Sequence, residues 1–229
     1  RTLTIGDLNG GGKPDFIAGD AYGNLQAFLN DGLGNFTAQP NLFNVVPQAG
    51  GPSTGPGVIV DLNGDGKADF IESSGQAGAT NVFLGNGDGT FQAPVVIQLT
   101  GRAPGAIAAA NLNNDIKPDF VEALSDGSVA VFLNNGNGTF GAPAYYQLPP
   151  TAVPSDLAHV NIATSVAITD INGDGKLDLV AGYGQGWYAS YGVAVFPGNG
   201  DGTFGPATTI SMTNHPYAVS VNDFNGDSK

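Results

Sequence analysis

The sequence contains no cysteine, one methionine, one tryptophan and only seven lysine or arginine residues in 229. Without cysteine, a disulfide scaffold and thiol chemistry are excluded. So few basic residues leave no positive patch for phosphates, and we expect no nucleic-acid partner. No apolar run approaches the roughly 18 residues that a membrane-spanning helix needs, so we expect no membrane span. Glutamate occurs only twice and lysine is scarce, which favours short β-strands over helices.

Glycine, proline and acidic residues are abundant instead. The chain has 36 glycines, 15 prolines and a net charge of -13, and its apolar fraction of 41% is enough for a core. Twelve of the 20 acidic residues fall in five short loops. Carboxylates crowded this closely repel one another unless a cation lies among them. The acidity therefore indicates metal sites rather than a generally acidic surface.

The best-formed acidic loop covers residues 170–178 and reads D-I-N-G-D-G-K-L-D. Oxygen-bearing side chains occupy its positions 1, 3, 5 and 9, and glycines occupy positions 4 and 6, where the backbone must turn sharply. Calcium takes six to eight oxygen ligands, commonly carboxylates and amides with one backbone carbonyl. We therefore predict a calcium site. Its predicted ligands are Asp170, Asn172, Asp174 and Asp178 through their side chains and Lys176 through its carbonyl.

Similar loops recur along the chain at intervals of 54, 50, 59 and 53 residues, which indicates a repeat architecture. Loop two (61–69) is a full copy, loop one (7–15) has glycine at position 5, loop three (111–119) lacks the glycines, and loop five stops at residue 229. We expect loops two and four, with three carboxylates each, to bind calcium most tightly and loops one and three more weakly. Their predicted ligands are Asp61, Asn63, Asp65, Lys67 and Asp69 in loop two, Asn111, Asn113, Asp115, Lys117 and Asp119 in loop three, and Asp7, Asn9, Lys13 and Asp15 in loop one.

Two other interpretations of these loops exist. Asp, Asn and Gly also form ordinary polar turns that bind no metal. Loop two together with Glu72 fits the EF-hand pattern D-x-[DN]-x-[DN]-G-x5-E. An EF-hand needs a helix on each side, whereas residues 56–60 and 70–74 have the composition of strands, and the counterparts of Glu72 are Ala18 and Ala181. We therefore expect no EF-hand.

Each repeat carries strand signals on both sides of its acidic loop. A short apolar segment precedes the loop, and a second one opens with Asp-Phe or Asp-Leu. A third apolar segment then runs into an Asn/Gly turn, after which the chain resumes at a phenylalanine, as at Phe91 and Phe204. Four strands in about 50 residues are the pattern of a propeller blade. The predicted repeats are 1–54, 55–104, 105–163 and 164–216, with a partial repeat at 217–229, in a single segment spanning 1–229.

The repeat resembles the FG-GAP or VCBS family, which is found in the propeller of integrin alpha subunits, in bacterial secreted proteins and in some fungal lectins. D-x-N-G-D-G-x-x-D recurs together with N-G-D-G-T-F followed by proline, as at 86–94 and 199–206. The resemblance covers nearly the whole chain and implies an all-β propeller with calcium in the first hairpin of each blade. Family propellers usually close with about seven blades, whereas this chain has four repeats and the first strand of a fifth, predicted at 218–221. We therefore expect an open arc, a fragment or an assembly closed by a second chain, with self-association through its open edges.

The catalytic signatures H-E-x-x-H and the Walker loop do not occur in the sequence. His159 and His215 lie in predicted connections between blades. We expect no enzymatic activity in this segment, while the activity of a longer parent protein stays open. The start at Arg1 rather than methionine suggests a processed chain or a fragment.

The aromatic segment 182–191 holds the single tryptophan and is the candidate binding surface. Tyr183, Trp187 and Tyr188 are the candidate ligand contacts, because aromatic residues on glycine-flanked loops anchor sugars or protein partners. Alternatively, Tyr183 packs into the blade core and Trp187 covers a blade edge.

Three functions fit these predictions. The first is a calcium-stabilised extracellular module that recognises a protein or a carbohydrate, or mediates adhesion. The second is a lectin that binds glycans at blade junctions, and the third is a noncatalytic propeller of a larger secreted enzyme such as a polysaccharide lyase. Loops that bind calcium at about 0.1 to 1 mM suit a secreted, periplasmic or cell-surface protein.

Overall fold

The computed structural model describes residues 2–20, 22–42, 54–74, 78–149, 162–184 and 191–223. The described residues form sixteen β-strands and no helix. The strands make four antiparallel sheets of four strands, each in chain order. None of the described segments is a helix long and apolar enough to cross a membrane. The all-β fold of four-stranded blades that the sequence predicts is confirmed.

The four sheets are named blade one to blade four in chain order. Blade one contains β1 (Thr2–Gly6), β2 (Asp15–Gly19), β3 (Leu25–Asn30) and β4 (Phe36–Ala38). Blade two contains β5 (Gly57–Val60), β6 (Asp69–Ser74), β7 (Ala79–Phe83) and β8 (Val95–Gln98). Blade three contains β9 (Pro104–Ala110), β10 (Asp119–Leu124), β11 (Ser128–Phe132) and β12 (Ala144–Gln147). Blade four contains β13 (Ala163–Thr169), β14 (Asp178–Tyr183), β15 (Tyr191–Phe196) and β16 (Thr208–Met212).

Each acidic loop connects the first and second strands of its blade. In blade two the residue before the loop, Val60, pairs with Asp69, and in blade four Thr169 pairs with Asp178. The last residue of each nine-residue motif is thus already the first residue of a strand. The predicted long hairpin between adjacent antiparallel strands is confirmed in this register.

One predicted element is absent from the structure. Residues 218–221, predicted as the first strand of a fifth blade, have no strand conformation. A strand is stabilised by hydrogen bonds to a neighbouring strand, and the described residues offer it none. Val219 instead lies against Gly182 of blade four, 3.1 Å from the position that a Cβ on Gly182 would take.

The chain divides into two compact units, each with its own core. Unit one comprises Arg1–Gly105 and Asn134–Phe140, and unit two comprises Ala106–Leu133 and Gly141–Lys229. Because side chains alternate between the two faces of a strand, each blade has one set of side chains on each face. The core residues of unit one include Leu8, Ile17, Leu25 and Ala27 of blade one with Phe70 and Phe83 of blade two. Those of unit two include Val121, Val129 and Val131 of blade three with Leu179, Ala181 and Phe196 of blade four.

The second strand of each blade begins with an aspartate, and the two faces of the blade are named from the residues that follow it. The leading face carries the residue directly after the aspartate, which is Phe16 in blade one and Phe70 in blade two. The trailing face carries the next residue, which is Ile17 in blade one. In unit one the trailing face of blade one packs against the leading face of blade two. In unit two the trailing face of blade three packs against the leading face of blade four.

Candidate metal centres

The backbone of the acidic loops turns through the left-handed region at positions 4 and 6. In loop two these positions are Gly64 and Gly66, with φ of 76° and 79°. Loop three has Asn114 and Ile116 there, with φ of 60° and 64°. Loop three therefore follows the same path without glycine, and a β-branched residue such as Ile116 is strained at positive φ.

Relief of this strain predicts a stabilising substitution. Ile116→Gly should raise the free energy of unfolding by about 1 kcal/mol, because the relief of about 1 to 2 kcal/mol of left-handed strain exceeds the flexibility cost of glycine, about 0.5 to 1 kcal/mol. Ile116 is 92% exposed, so no packing is lost. Urea denaturation measures the effect. Ile116→Ala keeps a Cβ atom and serves as the matched control, and an equal gain in both variants would contradict the strain argument.

The carboxylate at position 1 organises each loop. In loop four, Asp170 Oδ1 accepts the N–H groups of Gly173 at 2.7 Å and Asp174 at 3.1 Å, and Oδ2 accepts that of Gly175 at 2.8 Å. The N–H of Gly175 is the main cause that lowers the pKa of Asp170 below its ordinary value. Asp61 makes the same contacts in loop two, with Gly64 and Gly66, both at 2.8 Å. The backbone thus surrounds a carboxylate that is ionised at neutral pH.

Positions 3 and 5 place further oxygen atoms in the loop. Asn63 Oδ1 accepts the N–H of Asp65 at 2.9 Å, and Asp65 Oδ1 accepts that of Lys67 at 3.0 Å. The Lys67 N–H is the main cause that lowers the pKa of Asp65. Asn172 and Asp174 repeat this arrangement in loop four. These carboxylate and amide oxygens are hard donors of the kind calcium prefers.

The lysines at position 7 have a packing role that the sequence did not reveal. A Cβ on Gly87, in the second turn of blade two, would lie 3.1 Å from Lys67 Cγ, and one on Gly200 would lie 3.2 Å from Lys176 Cγ. The aliphatic stems therefore cover the second turn, while the charged ends stay in solvent. Lys67 Nζ is 3.4 Å from Asp65 Oδ2, an exposed pair that contributes little to stability.

The carboxylate at position 9 differs from the others because it is fully buried. Asp69 Oδ2 accepts the N–H of Leu62 at 2.8 Å, and its Oδ1 accepts that of Gly85 at 2.7 Å. Asp178 does the same with Ile171 at 3.0 Å and Gly198 at 2.7 Å. Each of these aspartates therefore clamps its acidic loop to the second turn of the same blade. Burial raises the pKa of Asp69, and the two N–H groups oppose that rise.

The sequence predicted the four position-9 aspartates as calcium ligands, and it did not indicate that they also clamp the loop through hydrogen bonds. All four are completely buried, and each accepts the N–H of loop position 2. The four residues are Asp15, Asp69, Asp119 and Asp178. Each carboxylate oxygen has a second lone pair, so the clamp leaves coordination chemically open. Across the described ranges, no three His, Asp or Glu side chains form a group that could hold a metal by themselves. A bound ion would therefore also need amide and backbone oxygens, which the loops contain.

The structure also shows a link from each of two loops to the next blade. Asn134 Nδ2, in the second turn of blade three, donates to the carbonyl of Leu62 in loop two at 2.8 Å. The N–H of Gly202, in the second turn of blade four, donates to the carbonyl of Leu112 in loop three at 3.0 Å. Residue 2 of these loops is therefore held through its N–H by its own blade and through its carbonyl by a neighbour.

The EF-hand interpretation of loop two is excluded by the structure. Strands β5 and β6 flank the loop where an EF-hand would have helices. Glu72, the residue that would complete the motif, is fully buried in β6. Its carboxylate accepts the side-chain N–H of Asn81 and the N–H of Gly55, both at 2.8 Å, and its burial raises its pKa.

The candidate aromatic surface is described only in part. Tyr183 is 3% exposed and belongs to the core of unit two, and burial raises its pKa. This placement favours the packing role over ligand contact. Trp187 and Tyr188 lie outside the described residues, as does His159. The ring of His215 lies between those of Tyr191 and Tyr217, at centroid distances of 5.8 and 4.9 Å.

A cavity of about 360 Å³ lies in blade one, at the end away from the acidic loop. Its lining combines a carboxylate, three amides and an aromatic ring, which are groups that suit a hydroxyl-rich ligand. Asp20 is committed to its own turn, because it accepts the N–H groups of Tyr22 and Asn24. The polar and aromatic lining residues are Asp20, Asn24, Gln26, Asn41 and Phe28.

Four antiparallel blades, each with an acidic hairpin loop, define a β-propeller repeat protein. The model of the FG-GAP-like repeat matches the chain four times, over residues 7–72, 61–122, 111–181 and 170–229. The chain therefore belongs to the FG-GAP-like repeat family, and the resemblance noted from the sequence is confirmed. No curated protein sequence is similar to the chain at a significant level.

Solved structures with the same fold include a lectin from Agrocybe aegerita that specifically recognises non-reducing terminal N-acetylglucosamine. It is 26% identical to this chain with a TM-score of 0.57, and the match covers 94% of this chain and 52% of the lectin. BBS1N in complex with ARL6DN is 10% identical with a TM-score of 0.55, and the match covers 93% of this chain and 58% of BBS1N. The second likeness concerns the fold alone. The chain thus spans about half the length of these structures.

Proposed function

We propose that the chain is a calcium-stabilised, noncatalytic recognition module that works outside the cell. The observation that carries the calcium part is the arrangement of loops two and four. In each, backbone N–H groups surround the position-1 carboxylate, and carboxylate and amide oxygens lie two and four residues further on. Calcium bound there would neutralise the crowded carboxylates and hold the first hairpin of the blade.

Loops two and four should bind more tightly than loops one and three. Loop one has Gly11 at position 5, and loop three has Asn111 at position 1, so each offers one carboxylate fewer. Affinity in such sites rises with the charge of the ligands.

Calorimetric titration with calcium tests this ranking. The native chain should show two tight sites and weaker binding beyond them. Asp65→Ala should remove one tight site, and Asp65→Ala combined with Asp174→Ala should remove both, because each substitution deletes a charged position-5 ligand. Asp88→Asn, outside the acidic loops, is the matched control. Absence of calcium binding, or unchanged calcium binding in the double variant, would contradict the proposed calcium sites.

Recognition of a glycan is the first candidate for the binding activity. The similarity to the Agrocybe aegerita lectin supports it, and the amide-rich cavity of blade one is a place on this chain with suitable chemistry. A glycan array with the calcium-loaded chain tests it. Gln26→Ala and Asn41→Ala should weaken any glycan signal that arises in this cavity, and a signal unchanged in both variants would place binding elsewhere. A uniformly blank array would favour a protein partner.

A role within a larger secreted enzyme is the remaining candidate. Its support is that the chain spans about half of the solved structures it resembles. In that setting the blades would hold a partner or substrate while another domain performs catalysis. Adhesion to a cell surface would use the same binding face, and the array result distinguishes glycan from protein recognition in either setting.

A further inference from the structure

Asn134 connects the second turn of blade three to loop two of blade two. Its Nδ2 donates to the carbonyl of Leu62 at 2.8 Å, and its Oδ1 accepts the N–H of Gly136, in its own turn, at 2.7 Å. The side chain is only 4% exposed, so solvent competes little with either bond. A buried amide that is bonded on both sides makes the loop and the turn depend on each other.

The turn that carries Asn134 also packs on blade two. Residues Asn134–Phe140 form one compact unit with blades one and two, whereas the strands before and after the turn belong to unit two. A Cβ on Gly138 would lie 2.7 Å from a methyl carbon of Leu84, which follows β7 of blade two. The surrounding packing therefore holds the Asn134 amide where it reaches loop two.

The bond from Asn134 fixes the orientation of one peptide plane in loop two. A peptide group is planar from one Cα to the next, so the carbonyl of Leu62 and the N–H and Cα of Asn63 belong to one rigid group. The preceding peptide group joins Asp61 to Leu62, and its N–H donates to Asp69 Oδ2 at 2.8 Å. The predicted ligands at positions 1 and 3 therefore extend from two planes, of which Asp69 holds the first and Asn134 the second.

Loop three receives the same kind of bond from a different donor. The N–H of Gly202, in the second turn of blade four, donates to the carbonyl of Leu112 at 3.0 Å. Leu112 occupies position 2 of loop three, as Leu62 does in loop two. Of these two bonds, the one to loop two comes from a side chain, so a single substitution can remove it.

We propose that Asn134 is a positioning residue for the calcium site of loop two, so that calcium affinity in blade two depends on the second turn of blade three. The inference rests on the calcium binding proposed above. The Asn134 bond orients the Asn63 peptide group before the ion arrives, which lowers the ordering cost of binding. Groups that orient metal ligands from outside the coordination sphere contribute about 10- to 100-fold to metal affinity. Coupling between two binding events is reciprocal, so calcium in loop two also holds the turn of blade three in place.

Calorimetric titration with calcium in an Asp174→Ala background tests the proposal, because loop two is then the tight site that remains. Adding Asn134→Ala should raise the calcium Kd of that site about 10-fold, since the peptide group before Asn63 is no longer held. Asn137→Ala is the matched control. It removes an exposed amide that accepts the N–H of Thr139 within the same turn, and it should leave the Kd unchanged. Circular dichroism confirms that each variant is folded.

Hydrogen exchange of the Gly136 amide is a readout that a purely structural role of Asn134 would not move. In the Asp174→Ala background, calcium should slow this exchange, because the Gly136 N–H bonds to the Asn134 side chain. Further addition of Asp65→Ala should abolish the slowing, since loop two then loses a charged ligand. The measurement uses no Asn134 variant, so it decides the question even where that variant does not fold.

The outcomes separate this inference from the calcium proposal on which it rests. Tight calcium binding in the Asp174→Ala background with an unchanged Kd in the Asn134→Ala variant would overturn the positioning role alone. So would exchange at Gly136 that calcium does not slow. Absence of calcium binding in the Asp174→Ala background would overturn the proposed site in loop two and this inference with it.

Discussion

Replacement of Asp69 by alanine is expected to destabilise the chain by about 2 to 6 kcal/mol, whether or not calcium is present. The carboxylate accepts the N–H groups of Leu62 and Gly85 in a fully buried position. Alanine would leave both N–H groups buried and unpaired, and each unsatisfied group costs about 1 to 3 kcal/mol. Denaturation by urea in EGTA and in calcium measures the loss.

Asp65→Ala is the matched control for this prediction. It removes a carboxylate from the same loop, but Asp65 is solvent-accessible and bonds one loop N–H. In EGTA its free energy of unfolding should stay close to that of the native chain, whereas in calcium it should lose part of the metal-dependent stability. If the two variants were equally stable in EGTA, the clamp role of Asp69 would be wrong.

Calcium itself is expected to raise the melting temperature by roughly 10 to 20 °C. A ligand at 100 times its Kd stabilises the native state by about 2.7 kcal/mol per site, so two tight sites give roughly 5 kcal/mol. In a chain of this size, 1 kcal/mol corresponds to about 2 to 4 °C. Thermal unfolding in saturating calcium and in EGTA measures the difference.

Two variants separate site binding from general screening of charge. Asp65→Ala/Asp174→Ala should abolish most of the calcium-dependent rise. Asp88→Asn/Asp201→Asn removes the same number of charges from the second turns and should keep the rise. A shift that is equal in both variants, or that sodium chloride of matched ionic strength reproduces, would mean that calcium acts only on the overall charge. No shift would mean that the loops are ordinary polar turns.

The strands and loops were predictable because the residues that determine them lie close together in the sequence of each repeat. The apolar segments beside the motif, such as 58–60 before loop two, became strands with only their ends extended. Gly64 and Gly66 mark positions where only a left-handed backbone continues the loop, and both adopt it. The period of about 50 residues then fixes four strands per blade.

The clamp by Asp69 could not be predicted in the same way. It depends on Gly85, 16 residues away, coming beside the end of loop two, which follows only from the pairing of β6 with β7. The local pattern shows a carboxylate at position 9 and does not distinguish a metal ligand from a hydrogen-bond acceptor. One feature could have indicated the clamp. Asp69 begins a buried strand, and a carboxylate buried there needs hydrogen-bond donors because an unpartnered buried charge is costly.

Loop three and the fifth repeat show two further limits of local sequence. Loop three has no glycine at positions 4 and 6, yet its backbone at Ile116 has the same left-handed conformation as the glycine loops. Tertiary contacts, including the buried Asp119 clamp to Leu112, outweigh the local preference. Residues 218–221 have the composition of a strand, but a strand also requires a partner for its hydrogen bonds.

The bonds from second turns to neighbouring loops bear on how such a chain can lengthen. Asn134 reaches the carbonyl of Leu62, and Gly202 reaches that of Leu112, each from the turn of the following repeat. The two donors differ, because one is a side-chain amide and the other a backbone N–H. Gly85 and Gly198 occupy the position of Asn134 in blades two and four and have no side-chain donor. A repeat that is duplicated into the place after loop two therefore keeps this bond only if its second turn brings its own donor.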